Sequence, residues 1–525
     1  MGSDKDTSVE IVVSNLKSEE QKSKLHDDDL IRSDKFENGI QKDNIEVYIK
    51  KDDEGFTEDE SLKVARKIDW HILWILCILY GINYVDKAAL GWAVLFTFEE
   101  DLKLEGDDYS WVSAIFYFGY LGAQYPSSYV LQRFPVGKVI CVSTFFWGAI
   151  MLAHIGSHNY AGILVCRFLL GVFEAPVTSG FVLFTSTFYT RKEQVSRTMY
   201  WGSMQGIFYI IFSFISYGLG HVTKSVLNEW RLIYLVLGLC SVVASVIWFF
   251  FVPDSPEKAK FLSVREREVA LLRVAKNMTS IKEQKWNFSQ VWECAFDPKV
   301  YFIMTYIIFC MIPNGGLTNF GTMVLSSIVK NRVQSIAISV GSSFFSSGQM
   351  LIYSLLSQKY KNLRTIGMTA PLIVAIAGVS SVYGTESHGN KWGRMVAYWM
   401  INSYAATWPF ALNVVGVNFA GQTKRAAVSL ILLIFFSVGN IIGPFCFKSS
   451  DAPKYSKALA TIIGCFCAAF FIGVTLRLYL IWENRRRDKL YGDAEKILED
   501  ERVEGIINGL KDQTDLENVD FRYVL

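Results

Sequence analysis

Charge is scarce in this chain, and neither sign dominates. Only 19% of its 525 residues are Asp, Glu, Lys or Arg, against roughly 25% in soluble domains. They nearly cancel, leaving a net charge of +2, so no strong field favours nucleic acid. Histidine is equally sparse: the six, at positions 26, 71, 154, 158, 221 and 388, form no cluster, and no HExxH is present. No metal site and no cofactor are expected. The absence of GxxxxGK[ST] removes a P-loop for ATP hydrolysis, and the absence of GxSxG leaves an enzyme unsupported. The nine cysteines are odd in number, and Cys77, Cys141, Cys166, Cys310 and Cys446 lie inside apolar runs, where cysteine acts as a small hydrophobe. Cys465 and Cys467 are too close for a CxxC, and no disulfide framework is expected. The N-terminus lacks the apolar centre of a cleaved signal peptide, reading instead Asp27-Asp28-Asp29 and Lys50-Lys51-Asp52-Asp53-Glu54. The first apolar span is therefore expected to act as an uncleaved anchor.

Apolar sequence is what the chain does contain: 51% hydrophobic and 15% aromatic residues. They fall into runs near the ~20 residues a helix needs to cross ~30 Å of hydrocarbon. About twelve spans are expected, near 71–97, 109–131, 139–157, 160–187, 199–220 and 232–252, then 300–323, 334–357, 365–384, 394–416, 427–447 and 457–481. The fold class is all-α, a polytopic membrane protein of two six-helix bundles. The expected division is a disordered polar tail over 1–67, a first bundle over 68–253, a polar linker over 254–299, a second bundle over 300–482 and a tail over 483–525. A monomer in a lipid bilayer is expected.

Basic residues favour the cytosolic side, but the short loops are balanced. The terminal and central segments decide: Lys63, Arg66 and Lys67 precede the first span, Arg485 to Arg487 follow the last, and Lys258, Lys260, Arg265, Arg267, Arg273 and Lys276 lie in the linker. Both termini are thus read as cytosolic, and the sequons at Asn277 and Asn287 as unmodified; plasma membrane and endoplasmic reticulum both fit. The halves share a trace of repetition. Gln132-Arg133-Phe134 with Lys138 follows span 2, and Gln358-Lys359-Tyr360 with Arg364 follows span 8.

Ionisable residues at bilayer depth cost at least ~2.5–3.5 kcal/mol on insertion scales, so each needs a reason. Span 1 holds Asp86 and Lys87, with Asp86 roughly 22 Å into the span at 1.5 Å per residue. Span 4 holds Arg167 and Glu174; seven residues turn a helix by about 700°, which puts both on one face, about 10 Å apart along the axis. Two acids and two bases in one half form either a self-neutralising structural quartet or a proton-coupled anion site, since a carboxylate's proton affinity rises when a nearby base is captured elsewhere. The second six spans contain no Asp or Glu. Asn314, Asn319 and Asn402 there are candidates for a substrate pocket, the alternative being packing bonds between helices. GxxxG at Gly202–Gly206 and Gly439–Gly443 reads as close helix approach.

Ordered motifs across residues 70 to 490 extend this pattern. They are Tyr84-Val-Asp86-Lys87, Arg167-Phe-Leu-Leu-Gly171-Val-Phe-Glu174-Ala, Phe188-Tyr189-Thr-Arg191-Lys-Glu193, Trp230-Arg231, Pro253-Asp-Ser-Pro256, Asn418-Phe-Ala-Gly421-Gln-Thr423-Lys424-Arg425 and Gly439-Asn-Ile-Ile-Gly443-Pro444. The chain resembles the major facilitator superfamily, within it the anion:cation symporters, and among those the fungal allantoate-permease-type group. That resemblance implies secondary transport by alternating access, with substrates that are small organic anions (carboxylates, ureides, vitamins) moving with protons. It implies that Asp86 and Glu174 carry protons, that Lys87 meets the substrate carboxylate, and that Arg167 holds Glu174. Two departures stand out. Lys87 replaces the more usual Arg and offers a point charge in place of a bidentate fork, and Gln132 stands where the superfamily's loop motif carries an acid. An anion exchanger or uniporter of the same fold, and a transporter-like nutrient sensor, are the alternative readings.

Overall fold

A computed structural model describes residues 56–222, 225–275, 287–359, 362–385, 390–452, 454–491, 513–519 and 521–525. The N-terminal tail to residue 55, the Asn277 sequon and Tyr360 of the loop repeat lie outside them. Among the described residues the chain is helical, without a strand. The principal helices are α1 Glu58–Ile68, α2 Trp74–Ala93, α3 Asp108–Arg133, α4 Val136–Ala153, α5 Tyr160–Phe188, α6 Arg191–Leu219, α7 Glu229–Phe251, α8 Val264–Ala275, α9 Phe288–Phe296, α10 Pro298–Val329, α11 Val340–Lys359, α12 Arg364–Gly384, α13 Lys391–Ile401, α14 Thr407–Asn418, α15 Gln422–Phe445 and α16 Ser456–Tyr491.

Local chemistry explains their limits. The Thr57 hydroxyl accepts from Glu60 N and the Glu60 carboxylate accepts from Thr57 N, a reciprocal cap that starts α1. Residues 58–67 of this helix lie in the segment read from sequence as a disordered tail, and that reading is corrected there by the cap and the helix it starts. A π-helical turn, Asp69–Leu73, joins it to α2. Asn159 caps α5 through Gly162 N at 2.8 Å. Asp297 caps α10, with Pro298 at the first helical position, where a missing N–H is harmless.

Ten helical stretches among the described residues are long and apolar enough to span a bilayer. Two of the twelve expected spans fall outside that count for different reasons. Helix α3 has 26 residues, about 39 Å at 1.5 Å per residue, but its serines, tyrosines and Gln124 make it less apolar. Span 10 is broken: α13 and α14 are separated by a 3₁₀ turn, Asn402–Ala406. Pro409, in the first turn of α14, supplies no N–H and crowds the carbonyl of Ala405, which loosens the ladder there.

Helices α2 to α7 pack together: α3 on α5, α4 on α5 and α7, and α2 on α6 and α7. Helices α10 to α16 form a second group, with α10 against α15 and α16, and α12 against α13, α14 and α16. Among the described residues the main pairs joining the groups are α2 with α10, α3 with α15 and α6 with α11, and α6 also meets the short helix Arg332–Ile338. The tightest approach in the first group is at Gly171, where a Cβ would collide with the backbone oxygen of Phe116 on α3. Gly171→Leu should therefore drive α3 and α5 apart, and loss of the monodisperse peak in size-exclusion of the solubilised protein is the expected result. Gly439 and Gly443 lie against Met311 and Ile312 of α10, so this GxxxG is a packing seam. Gly206 meets Ser347, whereas Gly202 faces open space.

The hydrogen bonds between the groups gather at the face away from the chain ends. The Tyr109 hydroxyl donates to the carbonyl of Asn319 at 2.9 Å, and Ser110 Oγ to that of Pro444 at 3.2 Å. Thr322 Oγ1 donates to the carbonyl of Gly91, Tyr209 to Ser339 Oγ at 3.0 Å, and Ser449 Oγ to the carbonyl of Gly106 at 2.6 Å. Trp111 on Phe445 and Tyr109 on Phe320 add edge-to-face ring contacts.

Candidate functional site

Successive residues on a helix point about 100° apart, so Asp86 and Lys87 leave α2 in different directions. Lys87 points to the cavity between the two groups and remains 25% exposed. Its Nζ lies 2.5 Å from Glu174 Oε1 on α5, and Glu174 is fully enclosed. The cavity beside the pair is lined by Lys87, Ser113, Tyr117 and Arg167 from the first group and by Thr318 and Asn319 from the second.

Asp86 turns away from the cavity and is wholly buried. Neither carboxylate oxygen has a hydrogen-bond partner; the Trp147 indole of α4 is its polar neighbour, and Arg167 and Lys87 are the nearby cations. Arg167 is 3% exposed. Its Nη2 donates to the Tyr234 hydroxyl on α7 at 2.7 Å, and its Nε has no hydrogen-bond partner. His154 stacks on Tyr234 with ring centroids 4.7 Å apart. The four expected residues thus converge, but the cation on Glu174 is Lys87, and Arg167 is held by Tyr234.

The three asparagines separate. Asn319 lines the cavity, with its amide donating to the carbonyl of Gly315 one turn back at 2.8 Å. Asn314 is occupied in packing: it donates to Asn440 Oδ1 at 2.7 Å and accepts from the Tyr404 hydroxyl at 2.9 Å. Asn402 opens the 3₁₀ break in span 10, and irregular backbone at membrane depth is tolerated where it is enclosed by protein or lines a cavity.

Sequence reasoning passed over Asn83, Tyr117, Tyr120, Trp147 and Tyr234. Asn83 lies one turn before Lys87, beside Glu174, and the i,i+4 spacing from Lys87 was a signal for it. Tyr117 and Tyr120 of α3 flank the Lys87 ammonium. Tyr234 and Trp147 carried no signal, since an aromatic in a span reads equally well as facing lipid.

A second charge cluster sits where the helices of the second group begin. Lys424, 0% exposed, lies 2.7 Å from Glu293, 2.9 Å from Asp297 and 2.9 Å from Asp515. Lys299 lies 2.9 Å from Asp297 and 2.6 Å from Asp515. Both lysines occupy first helical turns, where the helix dipole disfavours cations, so the acids offset two burdens. Asp515 arrives from the C-terminal segment. Burial works to raise its carboxyl, but the Lys299 and Lys424 ammoniums outweigh that and hold it below the usual carboxylate range. The segment is also fixed by Arg487 to the carbonyls of Asn518 and Phe521 and to the Tyr523 hydroxyl, and by paired bonds of Asn484 with Tyr523 and Asn418 with Val524.

Two groups of spanning helices around a charged central cavity define a membrane transporter, and comparisons with known proteins agree. The sequence profile of the Major Facilitator Superfamily matches residues 76–444, and the chain belongs to that family. It is a multi-pass integral membrane protein and not an enzyme. An uncharacterized transporter of Schizosaccharomyces pombe is 34% identical over 472 residues, 90% of this chain and 89% of that one. The allantoate permease of Saccharomyces cerevisiae is 28% identical over 486 residues, 89% of this chain and 87% of that one. A thiamine pathway transporter of the same yeast is 28% identical over 471 residues, 88% and 86% of the two chains. Among solved structures, an inward-open xylose transporter of E. coli superposes with a TM-score of 0.61 at 10% identity, covering 78% of this chain and 95% of that one. This likeness shows the fold.

Proposed function

We propose that the protein is a proton-coupled symporter of a small organic anion of the carboxylate, ureide or vitamin-like kind. The reading is carried by the 2.5 Å pair of a cavity-facing Lys87 with an enclosed Glu174, and the similarity to allantoate permease supports it. An arriving carboxylate competes with Glu174 for the Lys87 ammonium. A Glu174 stripped of its cation in a site closed to water binds a proton. The empty site then holds Lys87 cation and Glu174 anion, and the loaded site holds Lys87 cation, substrate anion and neutral Glu174. Both sum to zero, so the empty and loaded carriers face similar barriers in a low dielectric. Asp86, enclosed and without a hydrogen bond, is the second proton-bearing position, and Arg167 organises charge between the two acids. Asn319 shapes the pocket from the other half, and Asn402, at the break in span 10, and Asn314, through its bonds to Asn440 and Tyr404, are assigned supporting roles in substrate binding. With both termini in the cytosol, as the basic flanks favour, the cross-group bonds lie at the outer face. The protein works as a monomer.

Glu174→Gln tests the reading in reconstituted vesicles with an imposed pH gradient. Uphill uptake should vanish while exchange of labelled substrate across the membrane persists. Full proton-driven accumulation by this variant would remove Glu174 from the coupling. Wild-type uptake indifferent to the gradient would favour an exchanger or uniporter.

A further inference from the structure

Helix α9 carries an apolar stripe that no other described part of the chain covers. Phe288, Trp292 and Phe296 recur every four residues and are 71%, 69% and 80% exposed. That spacing sets the three rings within about 80° of one another around the helix. The opposite face is bound to the protein. Gln290 and Cys294 are buried, and Gln290 Oε1 accepts from Lys424 N at 3.1 Å. Glu293 meets the Lys424 ammonium, and Asn287 N donates to Thr423 Oγ1 at 3.3 Å. Helix α9 is thus fastened across the first turn of spanning helix α15, and it ends one residue before spanning helix α10 begins. Its level is the boundary where two spans leave the hydrocarbon.

The stripe is continuous with the lipid-facing wall. Tyr301, in the first turn of α10 and 54% exposed, donates its hydroxyl to the carbonyl of Ala295 at 2.7 Å, which joins the end of α9 to the outer surface of α10. Three large rings left in water would forgo about 1.5–3 kcal/mol each of burial. The headgroup–acyl boundary takes up such rings on a helix lying in the membrane plane, and tryptophan is enriched there. From these observations we infer that α9 is an in-plane membrane anchor: Phe288, Trp292 and Phe296 enter the acyl boundary of the bilayer, while Gln290 and Glu293 grip the base of α15. The second group of helices is thereby held at a fixed depth at the face where the chain ends lie. This anchoring stands independently of what the protein carries.

The test uses the full chain in phosphatidylcholine vesicles, either unmodified or brominated near the headgroup end of the acyl chains. The fluorescence of Trp292 is isolated as the difference between wild type and Trp292→Phe in each kind of vesicle. The expected result is that this difference falls by half or more in the brominated vesicles. An equal difference in both places Trp292 outside the acyl boundary and overturns the proposal. Disulfide-linked dimers formed efficiently by Trp292→Cys in dilute vesicles would also overturn it, by assigning the stripe to a second copy of the chain.

Discussion

Lys87→Ala should abolish uptake and lower thermal stability together, while Lys87→Ala combined with Glu174→Ala should restore much of the stability and none of the transport. The single change leaves the Glu174 carboxylate fully enclosed without the cation 2.5 Å away. Removing one partner of a buried pair costs up to about 3–5 kcal/mol where the other stays charged and less where it takes up a proton, whereas removing both leaves no uncompensated charge. Melting of the purified protein and initial uptake rates, measured on the same three preparations, separate the two effects. A purely structural quartet predicts that the double variant, once folded, still transports. Recovery of uptake in that variant would therefore end the argument for a working site. Lys87→Arg is informative on the substrate side, because a guanidinium offers a planar fork where an ammonium offers a point charge; it should preserve stability and change the ranking of carboxylates.

The second large effect is expected far from the cavity. Lys424→Ala should cost about 3–5 kcal/mol by the same reasoning and sharply reduce the folded yield, because Glu293, Asp297 and Asp515 all lie within 3 Å of its ammonium. Of the two lysines that meet Asp297 and Asp515, Lys299 alone would then remain. Asp515→Asn should be milder, since Asp297 still touches both lysines. The acid dependence follows from the direction of the Asp515 shift. A carboxyl held below its unfolded value stabilises the folded state above that value, about 3.9 for Asp, and the contribution is lost as pH falls through the folded value. The C-terminal segment should stay docked from pH 8 to pH 5, pH values well above that window, and protect against proteolysis within 513–525 throughout. Cleavage of the segment beginning at mildly acidic pH in the wild type would contradict the assignment.

Much of the architecture was legible because apolar runs of spanning length are a strong signal. The break in span 10 was less so. Asn402 and Pro409 are both visible in the sequence, but neither alone distinguishes a broken helix from a continuous one. Helix α1 was hidden by its own polarity: dense charge reads as a solvated tail, although Thr57 and Glu60 stand at capping-box spacing. In the cavity, the four ionisable residues stood out because each is expensive in oil. Their pairing did not, since helical spacing relates Arg167 to Glu174 within one helix, whereas the partners lie across helices, Lys87 on α2 and Tyr234 on α7. Asp515 could not be foreseen, because an acid in a polar C-terminal stretch looks the same whether it is hydrated or locked between two lysines.

The bonds that join the two groups of helices run from hydroxyls of Tyr109, Ser110, Thr322, Tyr209 and Ser449 to carbonyls and one further hydroxyl. None of these groups carries a formal charge. Parting them moves almost nothing through an electric field, whereas one elementary charge crossing the membrane is worth about 2.3 kcal/mol per 100 mV. The voltage dependence of turnover should then originate chiefly with the charges of the central site, Asp86, Lys87, Arg167 and Glu174. A cycle in which those four and the bound anion together always sum to the same charge should run at nearly the same speed in a polarised and a depolarised membrane.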